Sequence, residues 1–98
     1  MQQAIYKVPE GKLIKIFLEQ EEGNIKSIKI TGDFFIYPEE KIGALESALL
    51  GEGLVEDKLI AKLKQQEDRC GLEMFGVDME SIVKTILMAA DSSFYDRF

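Results

Sequence analysis

The side chain in this sequence that could act as a nucleophile is the thiol of Cys70, the chain's one cysteine, which stands between Arg69 and Gly71. A neighbouring cation favours the thiolate, which is the nucleophilic form of cysteine. The chain has no histidine, so the base that usually activates a nucleophile is missing. The same composition excludes an intrachain disulfide and a Cys/His zinc site. These absences favour an inert thiol, and a sulfur-acceptor role, which needs only one cysteine, is the alternative.

A second group of candidate residues is the sequence Gly32-Asp33-Phe34-Phe35, which follows a strand-like segment. A carboxylate beside a glycine could be presented to a ligand. The structural interpretation is that glycine supplies an unusual φ, Asp33 hydrogen-bonds to nearby amides, and both phenylalanines fill the core. The residue types favour this structural role, because burial of two aromatic rings is strongly stabilising.

Lysines concentrate in the N-terminal half of the chain, at positions Lys7, Lys12, Lys15, Lys26 and Lys29. They could form a docking surface for an acidic partner or for a ligand that carries phosphate. Solvated lysines that protect strand edges from aggregation account for the pattern equally well. Leu13 and Phe17 fall on the same predicted strand face, which favours a protein interface.

Other kinds of site are excluded by missing patterns. Neither GxxxxGK[ST] nor GxGxxG occurs, so we expect the chain to have no nucleotide site of its own. The 18 acidic residues show no EF-hand-like cluster, and no metal site is expected. The net charge of −6 disfavours nucleic acids and anionic membranes as partners. No signal-like leader and no membrane-spanning apolar run occur, so we expect a cytoplasmic protein.

Hydrophobic periodicity predicts the elements that hold these residues. Strands are expected over 4–8, 12–19, 25–31 and 34–37, and helices over 38–50, 54–66 and 78–90. Strands followed by helices predict an α+β fold, an antiparallel three- to four-stranded sheet covered on one face by about three helices. Residues 1–98 are expected to form a single domain, with a loosely held tail over 91–98.

Local signals refine the helix boundaries. Pro38 suits a first helical position, and Asp78 suits the N-cap of the last helix. The segment 67–77, which contains Cys70, is expected to be a loop. The periodicity of the last helix points one set of side chains inward, namely Met79, Ile82, Val83, Ile86 and Ala90.

Three segments together resemble the C-terminal accessory domain of lipoate-protein ligase: GKLIKI (11–16), IKITGDFFIYPEEKIGALESALLG (28–51) and GLEMFGVDMESIVKTIL (71–87). That family has four features in this order: a strand that bears a lysine, a hairpin, a GDFF segment, and a helix that begins with glutamate and ends in glycine. Some archaeal-type systems encode the domain as a separate small subunit, and this chain, which begins at its own methionine, resembles that form. Cys70 and the tail, with Phe94, Tyr95 and Phe98, lie outside the family pattern.

The resemblance implies an accessory, non-catalytic subunit of an ATP-dependent ligase. Such an enzyme converts lipoate to lipoyl-adenylate and transfers the lipoyl group to a lysine of an acceptor protein. The catalytic motifs are absent here, so no catalytic residue carries over, and lipoate and ATP with Mg are expected at the partner subunit. The matching positions, expected to lie at the interface or near the adenylate, are Lys12, Gly32, Asp33, Phe34 and Phe35.

Two other functions are alternatives. One is an accessory role in sulfur transfer or iron–sulfur assembly, which would rest on Cys70, although a lone cysteine cannot supply a full cluster ligand set. The other is an adaptor that binds an unrelated protein through its sheet face or tail. In either the ligase or the adaptor reading, a chain without its partner could associate with itself through the vacant surface.

Overall fold

The computed structural model describes residues 2–91, and its main sheet has three antiparallel strands in the order β1-β2-β3. The pairing places Ile16 opposite both Ala4 and Ile30, and alternation buries this row against the helices. At the tip of the second hairpin, Glu22 and Gly23 both have positive φ, of 54° and 79°. The strand bounds are β1 (Gln2–Lys7), β2 (Leu13–Glu21) and β3 (Asn24–Gly32).

A second, two-stranded antiparallel sheet pairs β4 (Phe35–Tyr37) with β5 (Glu73–Phe75). The predicted fourth strand is therefore real, but it joins this small sheet and not the main one. The strand β5 was missed, since the sequence indicated a loop over 67–77. Three residues carry too little periodicity to identify a strand, and β5 exists only because β4 lies beside it.

The helical half begins with a 3₁₀ turn (Glu39–Lys41) and continues with α1 (Ile42–Leu49), α2 (Glu56–Cys70) and α3 (Met79–Ala90). The prediction that Pro38 is the first helical residue is wrong, because Pro38 has extended backbone (φ −68°, ψ 140°). The second helix is longer than expected and ends at Gly71, which has a left-handed φ of 63°. The predicted Asp78 cap is confirmed, since its Oδ1 accepts a hydrogen bond of 2.7 Å from the Ser81 amide.

The helices cover one face of the main sheet, which confirms the predicted α+β class. Helix α3 packs on β1 and β2, α1 packs on β3, and α2 packs against the two other helices. Four of the predicted inward residues of α3 are buried, namely Met79, Ile82, Val83 and Ile86, whereas Ala90 is only partly buried. Ser81, Thr85 and Ala89 are also buried and were not predicted. The opposite face of the sheet has no buried side chain within residues 2–32.

Candidate functional site

The predicted Gly32–Asp33 site is a tight corner at one end of the main sheet. Gly32 has a φ of +152°, and a Cβ there would collide with the Leu13 carbonyl oxygen and the Phe34 ring. The Asp33 backbone amide donates a hydrogen bond of 3.1 Å to the same Leu13 oxygen. Glycine is needed here because the chain of β3 turns against the start of β2 with no room for a side chain. The hydrogen bond at this corner is thus made by the backbone amide of Asp33, and the Asp33 residue is exposed.

Lys12 lies at the same end of the sheet and fixes the chain that follows β5. Its amide donates a hydrogen bond of 2.8 Å to the Gly76 carbonyl oxygen. Gly76 has a φ of +82°, and a Cβ there would collide with the Lys12 side chain. The Lys12 carbonyl also accepts a bond of 3.0 Å from the Val8 amide. The backbone of Lys12 thus joins β1, β2 and the small sheet, and Lys12 as a whole is exposed.

The two phenylalanines of the Gly32-Asp33-Phe34-Phe35 segment have opposite environments. Phe34 is 8% exposed and belongs to the core, as predicted, whereas Phe35 is 54% exposed. The prediction that both rings fill the core is therefore wrong for Phe35. The reason is strand alternation: in β4 the side chain of Ile36 is buried, so its neighbours Phe35 and Tyr37 point the other way.

Three aromatic side chains cluster on the outer side of the small sheet, and we call Phe35, Tyr37 and Phe75 the aromatic ribbon. Phe35 lies directly opposite Phe75 in the strand register, and the ring of Tyr37 meets that of Phe75 edge to face at 6.2 Å and 82°. Tyr37 is 53% exposed and Phe75 is 51% exposed. Tyr37 and Phe75 were not predicted as site residues. The sequence contains little indication that these two residues share a surface, because they come together only when β4 pairs with β5.

The structure brings all five predicted site residues to one end of the molecule. Gly32 and Asp33 contact the Leu13 oxygen, Phe34 and Phe35 follow directly, and Lys12 contacts Gly76, which is the neighbour of Phe75. Three of the five have a structural role here: Gly32 and Phe34 through packing, and Lys12 through its backbone. The side chains available to a partner at this end are those of the aromatic ribbon and its exposed neighbours.

The open face of the main sheet is the second surface that the sequence indicated. Three lysines share this face, namely Lys7, Lys15 and Lys29, around the partly buried side chains Ile5, Leu13 and Phe17. The Lys15 ammonium lies 5.0 Å from the centre of the Phe17 ring, and Lys7 Nζ donates to the Gly11 carbonyl at 2.7 Å. Lys26 instead forms an exposed ion pair with Glu21. These lysines are partly occupied by contacts within the sheet.

Cys70 does not lie in a loop as predicted, because it is the last residue of α2. It is partly buried against the core, and its Sγ lies 3.9 Å from Gln66 Oε1, one helical turn earlier. Within residues 2–91 no group of three or more Cys, Asp or Glu residues is arranged to hold a metal ion. No helix of this described range is long and apolar enough to cross a membrane.

Comparison with known proteins identifies the family. Residues 6–86 match the family described as the bacterial lipoate protein ligase C-terminus, and the chain belongs to this family. The resemblance found in the sequence is thereby confirmed.

Two similar proteins, both from Thermoplasma acidophilum, are more specific than the family match. Lipoate-protein ligase A subunit 2 of Thermoplasma acidophilum is 41% identical over 49 residues, which are 50% of this chain and 51% of the relative. The match thus spans about half the length of that curated relative. A solved chain from an archaeal lipoylation system, comprising a bipartite lipoate protein ligase and its E2 lipoyl domain from Thermoplasma acidophilum, superposes with a TM-score of 0.76. That chain is 29% identical, and the superposition covers 88% of this chain and 94% of the solved one.

Proposed function

We propose that this chain is the accessory, non-catalytic subunit of a two-subunit lipoate-protein ligase. The observation that carries the proposal is the structural likeness to a chain of a bipartite ligase system over almost the whole length of both chains. The sulfur-transfer alternative has no support from these comparisons, and the partly buried position of Cys70 does not favour it.

In this proposal the chemistry belongs to the catalytic subunit. Lipoate and ATP with Mg bind there, lipoyl-adenylate forms there, and the lipoyl group passes to a lysine of an acceptor protein in the cytoplasm. The absence of histidine from this chain agrees with this division, since the chain lacks the commonest general base. What the chain supplies is a folded surface that holds the catalytic subunit in its active conformation.

A subunit without chemistry can accelerate activation by closing over the site of its partner. Closure excludes water, which would hydrolyse a reactive adenylate, and it orients the carboxylate of lipoate against the α-phosphate of ATP. Transfer of the lipoyl group from a preformed adenylate needs less of this help, because the activated bond already exists. Activation should therefore depend on this chain far more than transfer does.

The test measures the two half-reactions separately with the catalytic subunit that pairs with this chain. Pyrophosphate release reports lipoate activation, and lipoylation of an acceptor domain from added lipoyl-adenylate reports transfer. We expect the chain to raise the activation rate about 100-fold, the scale of effect that correct positioning produces, with only a small change in transfer. Equal activation rates with and without the chain would eliminate the proposal.

The substitution Cys70→Ser serves as the control that separates the proposal from the thiol-based alternative. We expect the variant to bind and to stimulate activation within about twofold of the unsubstituted chain, because the contacts of the thiol, a 3.9 Å approach to Gln66 Oε1 and partial packing on the core, are structural. A loss of function with an intact fold would instead support a chemical role for Cys70.

A further inference from the structure

The aromatic ribbon is an exposed apolar feature of the small sheet. Phe35, Tyr37 and Phe75 are each about half exposed, and aromatic side chains carry roughly 200 Å² each, so the ribbon presents about 300 Å² of aromatic surface. A continuous patch of that size is often functional in soluble proteins. It also resembles the buried centre of protein interfaces, where aromatic anchors supply most of the binding energy.

The surroundings of the ribbon are acidic. Asp33 precedes β4, Glu39 and Glu40 follow Tyr37 and Pro38, and Glu73 is the direct register partner of Tyr37. All four acidic residues are exposed, and the surrounding segments also carry three exposed basic residues, namely Lys12, Lys41 and Arg69. Excess carboxylate around an aromatic centre is complementary to a surface that carries arginine or lysine around an apolar recess.

We propose that the aromatic ribbon is the anchor through which this chain docks on the catalytic subunit. The partner surface is then an apolar recess bordered by arginine or lysine side chains, which receives Phe35, Tyr37 and Phe75. The proposal rests on the accessory-subunit function proposed above, and it names the surface of this chain that contacts the catalytic subunit. A stable interface buries about 800 Å² on each partner, which is more than the ribbon offers. The ribbon therefore forms the centre of the interface, and the four acidic residues around it form part of the border.

The open sheet face is a weaker candidate for this contact. Its apolar side chains Ile5, Leu13 and Phe17 are already partly buried, and Lys15 is engaged with the Phe17 ring. Its lysines are complementary in charge to the acidic residues around the ribbon, so a second copy of this chain is the rival occupant. That contact would join the ribbon of one copy to the open sheet face of another.

The test compares two double variants in their affinity for the catalytic subunit, measured by titration calorimetry at fixed salt. Phe35→Ala with Phe75→Ala removes the centre of the ribbon. Leu50→Ala with Val55→Ala is the matched control, since these residues are 50% and 49% exposed and lie beside the β2–β3 turn, at the opposite end of the sheet. We expect the ribbon variant to bind about 30-fold or more weakly and the control to bind within about twofold.

A charge variant keeps the test decisive if the double alanine variant fails to fold. Glu73→Lys leaves all three rings in place, and we expect it to weaken binding and to reduce the gain in affinity at low salt. Circular dichroism establishes that each variant is folded before binding is measured.

The outcomes are distinct for the two proposals. Failure of the unsubstituted chain to bind or stimulate the catalytic subunit would overturn both. Full binding by folded ribbon and Glu73→Lys variants would overturn the docking surface alone and leave the accessory function intact. Sedimentation of the isolated chain tests the rival occupant, which is a second copy of this chain. If the ribbon substitution abolishes self-association while binding to the catalytic subunit is unchanged, the occupant is a second copy.

Discussion

Gly32 and Gly43 illustrate how differently two glycines of this chain are constrained. A Cβ on Gly32 would collide with the Leu13 carbonyl oxygen and the Phe34 ring, and its φ of +152° is rarely adopted by other residues. Gly43 lies in helix α1, and a Cβ added there would meet no atom outside the helix's own backbone within 4 Å. The first glycine is required by the corner that carries Asp33 and β4, and the second only adds flexibility to the unfolded chain.

We predict that Gly32→Ala lowers the free energy of unfolding by about 2 kcal/mol or more, because it adds both strain and a steric clash. Gly43→Ala, the matched control, should raise it by about 0.5 to 1 kcal/mol through helix propensity. Urea denaturation followed by circular dichroism measures both. A Gly32→Ala variant as stable as the unsubstituted chain would show that the corner is not under the constraint described.

At the scale of elements, helix α1 completes the edge of the main sheet. Strand β3 is an edge strand, and its Ile30 amide has no strand partner on the outer side. Glu46 of α1 supplies the acceptor, since its Oε2 lies 2.7 Å from the Ile30 amide nitrogen. This bond ties α1 to β3 and protects a part of the edge where another strand could otherwise add.

We predict that Glu46→Ala destabilises the fold by about 2 kcal/mol, because a hydrogen bond to a charged group is lost and a part-buried amide is left without its acceptor. Glu46→Gln keeps an acceptor and should recover part of this loss. Glu40→Ala, an exposed change in the preceding turn, should alter stability by less than about 0.5 kcal/mol. Thermal denaturation ranks the three variants, and equal effects of Glu46→Ala and Glu40→Ala would contradict the role assigned to Glu46.

At the scale of the whole molecule, one buried cluster connects both sheets and all three helices. It takes residues from the main sheet, from β4 and from each helix, such as Ile16, Ile36, Leu45, Leu63 and Ile86. The small sheet is part of this unit, because Ile36 is buried in the cluster and Met74 packs against it. The two short strands that carry the aromatic ribbon are thus anchored in the shared core through Ile36 and Met74.

We predict that the chain unfolds in one cooperative step, as small proteins with one core do. Far-UV circular dichroism follows the helices. In a Tyr95→Phe background, which removes the third tyrosine, tyrosine fluorescence follows Tyr6 beneath Lys84 and Tyr37 in the ribbon. The two signals should give the same midpoint in urea. An earlier fluorescence transition would mean that the small sheet opens separately, which the shared cluster argues against.

Much of this architecture is predictable from local pattern. The hairpin strands, the last helix with its Asp78 cap and the α+β class follow from alternation, helical spacing and capping chemistry, which are properties of short segments. The tail residues Phe94, Tyr95 and Phe98 lie outside the described residues, and their predicted role stays a prediction. The expectation of a single domain over residues 1–98 likewise stays a prediction.

The sequence by itself determined the family and the position of the GDFF corner, because the order of glycine, proline and apolar residues is written along the chain. Only the tertiary structure decided which side chains next to this corner are buried and which are exposed. Strand β4 is apolar at every position, so its pattern cannot tell Phe35 from Ile36. The distinction arises when β5 pairs with β4 and the core covers one side, which leaves Phe35, Tyr37 and Phe75 together on the other.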